Sequence, residues 1–552
     1  MFELSYIKNK NEKLFACLKE KSDFSKLQNY IPIYGKFFNL NESNHSSINL
    51  ENKWSIDDID EKKTDNKFVC NIKNGDNIIK KNSFFKYSPI LDPIKYLVGK
   101  YAGKGDVLCL PSFNNTDNTN TKILDKNNAA YVDGFFSFLS SKLLHNHGFI
   151  HGIDFYGSFL GIKQHFAYNI SDDIEYLLNS DYFHEHKDKI YNLEHSLDDF
   201  SIDTRKHKEK LHLTKNSKSL SVASIDNTTL DSIFNANEEK NNDPSEKLIY
   251  ECTLPLKKTR NTDSTCSSRS SNTTSSSCDD SDEDDSLSEG SSCSSSSDEN
   301  INANIYNFPV QVICLELLEN TLDSLIAKED NFELDEWKSC LIQIIMTLLA
   351  YQKTFGLTHN DLHTNNIMFV TTNKKYLYYL YNKQYYKVPT YGRIYKIIDF
   401  GRAIYSYKGR QICSDSFHPK GDAATQYNFG TYFTEGKKKI EPNNSFDLCR
   451  LACSLYDLFE DEMEEDGTTD DPITKLIMEW CTDDNNKNIL YKKNGDERYP
   501  DFKLYKMIAR TVHNHTPEKQ METLFFNKFV TKKKKIPKKA KIMNIDDLPS
   551  YK

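Results

Sequence analysis

The sequence contains no CxxC pair, and its 13 cysteines lie scattered from Cys17 to Cys481 without metal-ligand clustering. An intracellular, reduced protein, cytoplasmic by the same reasoning, is the simplest reading. Cys449 and Cys453, four apart on an expected helix, read as small buried hydrophobes rather than as a metal site. Long hydrophobic runs are missing too. The longest, Leu341 to Tyr351, is too short to span a bilayer and carries Gln343 and Thr347, so no membrane span is expected. The opening residues, MFELSYIKNKNEKLF, hold no apolar stretch of signal-peptide length. Nor is there an excess of positive charge. A formal net charge of -9 argues against a protein built to coat nucleic acid. The lysines at 532–535 and 538–539 are the exception, and a plain solubilising tail is the preferred reading of them.

What is present is enough for a large core. The chain has 552 residues, 38% hydrophobic and 12% aromatic, with room for two to four domains or for one two-lobed domain with insertions. The mean hydropathy of -0.67 nevertheless implies a folded core with polar additions. Residues 264–300 are mostly Ser, Asp and Glu, and Asp279 to Glu299 contains no Lys or Arg. Such a stretch cannot offset its ordering entropy by burial, so the segment at about 200–304 is expected to be disordered. Its serines beside acids would suit an acid-directed kinase acting on this chain, or the stretch is a passive insertion.

Along the chain, Tyr30–Tyr34 and Lys36–Leu40 look like short strands on either side of Gly35, with Pro32 restricting the first to an edge. No function attaches to residues 1–65. Phe68–Ile72 and Ile78–Ile79 flank Asn74-Gly75-Asp76, a hairpin turn, and the second strand runs through Lys86 to Pro89. Val132, Phe135, Phe136, Leu139 and Leu143 share a helical face over 129–144, and Gly152–Ile162 reads as a strand. Order returns with a buried strand at Val310–Leu315, then a helix over Leu334–Phe355 that stops at Gly356. Ile367–Val370 and Tyr395–Ile398 read as strands around a Tyr-rich hairpin at Tyr376–Tyr391. Helices are expected at Phe446–Phe459, Ile473–Trp480 and Phe502–Val512.

Chemistry concentrates in His359-Asn360-Asp361-Leu362-His363-Thr364-Asn365-Asn366 and in Asp399-Phe400-Gly401. One carboxylate to orient a hydroxyl, then an amide and a second carboxylate to hold magnesium, is the set that phosphoryl transfer from ATP requires. With the strand, helix and hinge order around it, this resembles the eukaryotic-type protein kinase superfamily over 68–162 and 305–515.

The resemblance implies an α+β, two-lobed protein-kinase-like fold. A small β-rich N-lobe at 66–310 would carry the acidic insertion, followed by a larger helical C-lobe at 311–525 and a basic tail at 526–552. It implies ATP and Mg2+ as cofactors and a protein Ser/Thr hydroxyl as acceptor. Asp361 would be the catalytic carboxylate, with Asn366 and Asp399 on the metal. Lys86 would sit on the α- and β-phosphates, with Asp133 the only acid on its helix able to pair with it. Glu316 to Leu318 would meet adenine, and Leu315 would guard the back pocket. His359 would pack against Phe400, and Asp447 would anchor the loop backbone.

Departures shape the rest. No GxGxxG precedes Lys86, the 129–144 helix has no Glu, Asn360 stands where an arginine usually receives an activation-loop phosphate, and His363 follows Asp361 by two. The span from Asp361 to Asp399 is long, and no Ala-Pro-Glu follows Gly401. Composition and the IIDFGRAIY segment resemble the divergent serine/threonine kinases of giant, mimivirus-like DNA viruses, which would place the protein in a host cell or virion. Two alternatives follow from the departures. One is a catalytically weak pseudokinase scaffold, and the other a small-molecule kinase of the aminoglycoside or choline type.

Overall fold

Alternation of side chains builds the main sheet. In Lys67–Asn74, Phe68, Cys70 and Ile72 are buried while their neighbours are not, the pattern of a strand with one face on a core. The chain reverses at Gly75, whose φ of +57° is cheap only for glycine. It returns as Asn77–Pro89, which carries Lys86. The computed structural model describes residues 2–114, 119–194, 301–328, 332–462, 469–500 and 502–552. The Ser/acidic stretch at 264–300 and almost all of the insertion expected at 200–304 lie outside them. Its far end is described, and there the next strand has already begun at Asn302.

Seven strands form this sheet. From one edge the order is Ser55–Lys62, Lys67–Asn74, Asn77–Pro89, Asn302–Glu316, Phe155–Asn169 and Phe24–Gln28, all antiparallel, with Tyr191–Leu193 added beside Asn302–Glu316. The Lys86 strand therefore lies in the middle, with Lys86 opposite Ile313. Both edge strands of the main path come from residues 1–65. Tyr30–Leu40 is not the strand pair the sequence suggested, because Pro32 starts a 3-10 turn over Pro32–Lys36. The strand Ser55–Lys62 was hidden by its polarity, with only Ile56 and Ile59 turned inward. The helix Glu12–Lys21 buries just Leu14 and Leu18.

The helix Ala129–His147 packs on this sheet. Asn128 caps it by accepting from Ala130 N at 3.0 Å. Phe138 meets Phe155 edge-on at 5.7 Å, and Tyr131 to Ser141 are all buried. The long helix Leu334–Phe355 is buried along most of its length and ends at Gly356, φ +60°. That left-handed residue turns the chain directly into the Asp361 loop. Ile367–Thr371 and Arg393–Ile397 pair antiparallel and frame the loop on its other side.

The Tyr-rich hairpin is present as Tyr376–Tyr381 and Gln384–Pro389. It belongs to a four-stranded sheet completed by Val530–Thr531 and Ile542–Asn544. The lysines of the C-terminal segment are solvated as expected, while apolar residues between and after them pack. Its lysines at 532–535 and 538–539 are exposed, but Ile545 and Tyr551 are buried, and the Tyr551 hydroxyl accepts from Phe2 N at the start of the chain, with its ring beside Phe2 and Tyr407. Apolar residues spaced between lysines decide the packing while the ammonium groups stay in water. The helix expected over Phe446–Phe459 is α-helical to Leu455 and then tightens into a 3-10 turn. The described chain is a mixed α/β structure with one strand-rich sheet and surrounding helices.

Candidate functional site

The Asp361 loop is held by a buried carboxylate 86 positions downstream of Asp361, on the helix Phe446–Leu455. Asp447 is fully buried and accepts from His359 N and Asn360 N, both at 2.9 Å. Two charge-assisted bonds to consecutive amides fix the backbone just before Asp361. His359 is placed by Asp361 N on its Nδ1 at 3.3 Å and by its own Nε2 donating to Ile398 O at 2.9 Å. Its ring lies 5.4 Å from Phe400, which packs on Phe136 of the Ala129–His147 helix at 4.4 Å.

Asn360 has φ +66°, a left-handed conformation that Asn tolerates better than most side chains. Its amide donates to Thr358 O and Arg402 O at 3.0 Å, and its Oδ1 accepts from Tyr427 at 2.6 Å. Asn360 therefore staples three segments together.

Asp361 is almost buried, yet it contributes to the wall of a cavity of about 900 Å³. Tyr505, on the helix Phe502–Thr511, donates to its Oδ1 at 2.9 Å while accepting from Arg450 Nε at 2.9 Å. Burial pushes the Tyr505 phenol above its ordinary value, so it stays a donor. Arg402 Nε is 3.8 Å from Asp361 Oδ2, its Nη2 holds Asp422 at 2.8 Å, and its Nη1 is buried without a hydrogen-bond partner. The sequence reading did not include Tyr505, Arg450 or Arg402. Nothing local marks them, because Tyr505 lies on an amphipathic helix 144 positions from the carboxylate it serves.

On the sheet side, Lys86 Nζ lies 2.8 Å from both Asp133 Oδ2 and Asp399 Oδ1. Burial pulls the Lys86 ammonium down, and the two carboxylates more than offset it, leaving the group above the usual lysine range. Asp133 Oδ1 also accepts from Phe400 N at 2.9 Å. The shorter acid thus reaches its lysine without a Glu on the helix. Asp399 has φ +63°, which turns its side chain onto Lys86 and Gly401 N. One lysine against two carboxylates leaves the cluster a negative surplus that suits a divalent cation.

Asn366 Nδ2 donates to Asp361 O at 2.9 Å and faces His363 Nε2 at 3.0 Å. Burial lowers the His363 pKa to about 4, keeping the ring neutral and able to accept. With both amide hydrogens engaged, Asn366 is left its Oδ1 as the free end for a hard cation. Among the described residues no group of three or more His, Cys, Asp or Glu side chains could hold a metal alone. Magnesium is ordinarily held by one or two carboxylates together with substrate phosphates; Asp399 borders the cavity, whereas Asn366 lies behind its wall.

The structure brings Lys86, Asp133, Asp361 and Asp399 to one cavity, but Leu315, Glu316, Leu318 and Asn366 do not line it. Leu315 sits in the sheet opposite Phe84. Glu316 is occupied: its Oε1 accepts from Lys396 Nζ at 2.5 Å and from Asp154 N at 2.7 Å. The turn covering the Lys86 strand, Lys63 to Asn66, contains no glycine, and Asn66 bonds Phe85 through its backbone oxygen and its amide nitrogen.

A scan against protein-family models matches none. Among curated proteins, a Dictyostelium discoideum protein named as a probable serine/threonine-protein kinase is 32% identical over 110 residues. The match takes in 18% of this chain and 9% of that protein. This is a weak, partial similarity to a kinase. Among the described residues no helix is long and apolar enough to cross a membrane.

Proposed function

We propose that the chain is a divergent protein kinase that moves the γ-phosphoryl group of ATP to Ser or Thr hydroxyls, on a two-lobed kinase-like fold with lobes at 66–310 and 311–525. The observation that carries this reading is the Asp133–Lys86–Asp399 ion-pair cluster, which shares one cavity with Asp361. Lys86 would leave Asp399 in part to meet the α- and β-phosphates, with Asp133 keeping it charged and aimed. Asp361, fixed at Oδ1 by Tyr505, has Oδ2 to orient the acceptor hydroxyl and take its proton as the γ-phosphorus–oxygen bond to ADP breaks. Asp399 and Asn366 Oδ1 would hold Mg2+, whose chemistry is to neutralise charge on the phosphates. The resemblance to giant-virus kinases and the kinase similarity support the same class, and an intracellular setting with a protein substrate follows from it.

One observation favours the pseudokinase scaffold instead: the cavity wall omits Leu315, Glu316 and Leu318, the residues assigned to adenine. Transfer of label from γ-labelled ATP to general protein substrates separates the readings. The kinase reading expects magnesium-dependent labelling by wild type, lost in Asp361→Asn. Labelling of small alcohols but not proteins would move the assignment to a small-molecule kinase, and no labelling of either would leave the scaffold.

A further inference from the structure

The helix that carries Asp133 is gripped at its other functional point by a carboxylate from the segment that follows Gly401. Asp415 is buried, and its Oδ1 accepts from Ala129 N, the first residue of the helix, at 2.9 Å. Its Oδ2 is paired with Lys122 Nζ, and its own N–H donates to Asn127 O at 2.7 Å. One carboxylate oxygen and the backbone N–H are therefore spent on the entry to this helix, and the other oxygen on Lys122 in the short helix Thr121–Leu124 before it. An anion at a helix N-terminus is favoured by the dipole and the unpaired amides, and here the anion belongs to the chain itself. One turn further on, Asp133 holds Lys86 and Phe400 N. The same end of the same helix thus connects Asp415 to the cluster at the cavity.

Asn360 is committed to Thr358, Arg402 and Tyr427 and carries no charge. Arg402 is committed to Asp422 and lies beside Asp361. An activation segment can be ordered by an added phosphate pairing with a cation, and in this chain a carboxylate already occupies the paired position.

We propose that Asp415 is a positioning residue that fixes the Asp133 helix, and through it Lys86, so that the site is assembled without phosphorylation of the segment 402–427. This rests on the kinase reading for its catalytic consequence but not for its structural one. Two measurements keep them apart. In the first, hydrogen exchange of the amides at 129–133 is compared between the full-length wild type and Asp415→Ala. Protection should fall at least tenfold in the variant, whether or not the protein transfers phosphate.

In the second, wild type, Asp415→Asn, Asp415→Ala, Lys122→Met and the double variant Asp415→Ala/Lys122→Met are assayed for phosphoryl transfer, and wild type is also assayed after phosphatase treatment. Asp415→Asn should retain the bond to Ala129 N and lose less than Asp415→Ala. Asp415→Ala should lose at least tenfold in kcat/KM with a raised KM for ATP. The double variant should be no worse than Asp415→Ala, and phosphatase should change wild type less than twofold. Unchanged exchange in Asp415→Ala, or a wild type inactivated by phosphatase, would overturn the inference. Absence of transfer in wild type with the exchange effect intact would instead overturn the kinase reading and leave the tether standing.

Discussion

The loop around Asp361 and the sheet around Lys86 reach the same cavity by different routes. The loop's chemistry lies within eight consecutive residues, held by Asp447 on a helix that the sequence shows clearly and by ties to Arg402, Tyr427 and Tyr505. The sheet is assembled from pieces far apart in the chain: Lys86 sits opposite Ile313, and the edges come from residues 24–28 and 55–62. A motif is legible when its geometry is local. A sheet whose neighbours lie more than two hundred positions apart is legible only strand by strand.

The sharpest way to break this comparison is at Asp447. Asp447→Ala would leave His359 N and Asn360 N buried without acceptors, each worth about 1–3 kcal/mol. A loss of about 2–6 kcal/mol in urea unfolding is expected, together with loss of transfer. A variant as stable as wild type would show that the loop holds itself.

A smaller effect is expected on the sheet side. Lys86→Ala and Asp133→Ala should each weaken stabilisation by nucleotide in thermal melts, and the double variant should be far from additive, with a coupling of about 1–3 kcal/mol. Strict additivity would mean that the 2.8 Å pair does not act as a unit.

The smallest test concerns the junction between the two regions. His151 donates through Nδ1 to Tyr395 O and accepts from the Tyr379 hydroxyl, each at 2.7 Å. Burial lowers its pKa from 6.5 to about 4. The unfolded chain therefore binds this proton first, and the contribution present above pH 6.5 is lost as pH falls towards 4. Wild type should lose up to about 3 kcal/mol more than His151→Gln across that window. Equal pH slopes would exclude His151 as the cause.

These contrasts explain what could be read in advance. The 129–144 face is a helix over Ala129–His147, and Leu334–Phe355 has its expected bounds, because apolar spacing and a terminal glycine act locally. Asp133 could be singled out as the only acid on its helix, and it is indeed 2.8 Å from Lys86. Tyr505, Arg402 and Asp415 could not be, since each works through a partner far away in sequence. The strand Ser55–Lys62 was missed because an edge strand of Asp and Glu buries only two apolar residues. In the C-terminal segment the lysines are solvated as expected, and the packing of Ile545 and Tyr551 was not legible beneath them.

The measurement closest to the centre of this account is a paired one on wild type and Asp361→Asn: thermal stabilisation by Mg-ATP and transfer of the γ-phosphoryl group to protein. Asp361 touches Tyr505 and the cavity, while Lys86 and Asp399 stand apart from it in the ion-pair cluster. Stabilisation of about 1–3 kcal/mol at saturating nucleotide is expected in both proteins, with transfer in wild type alone. Equal transfer by both, or no stabilisation of either, would contradict it.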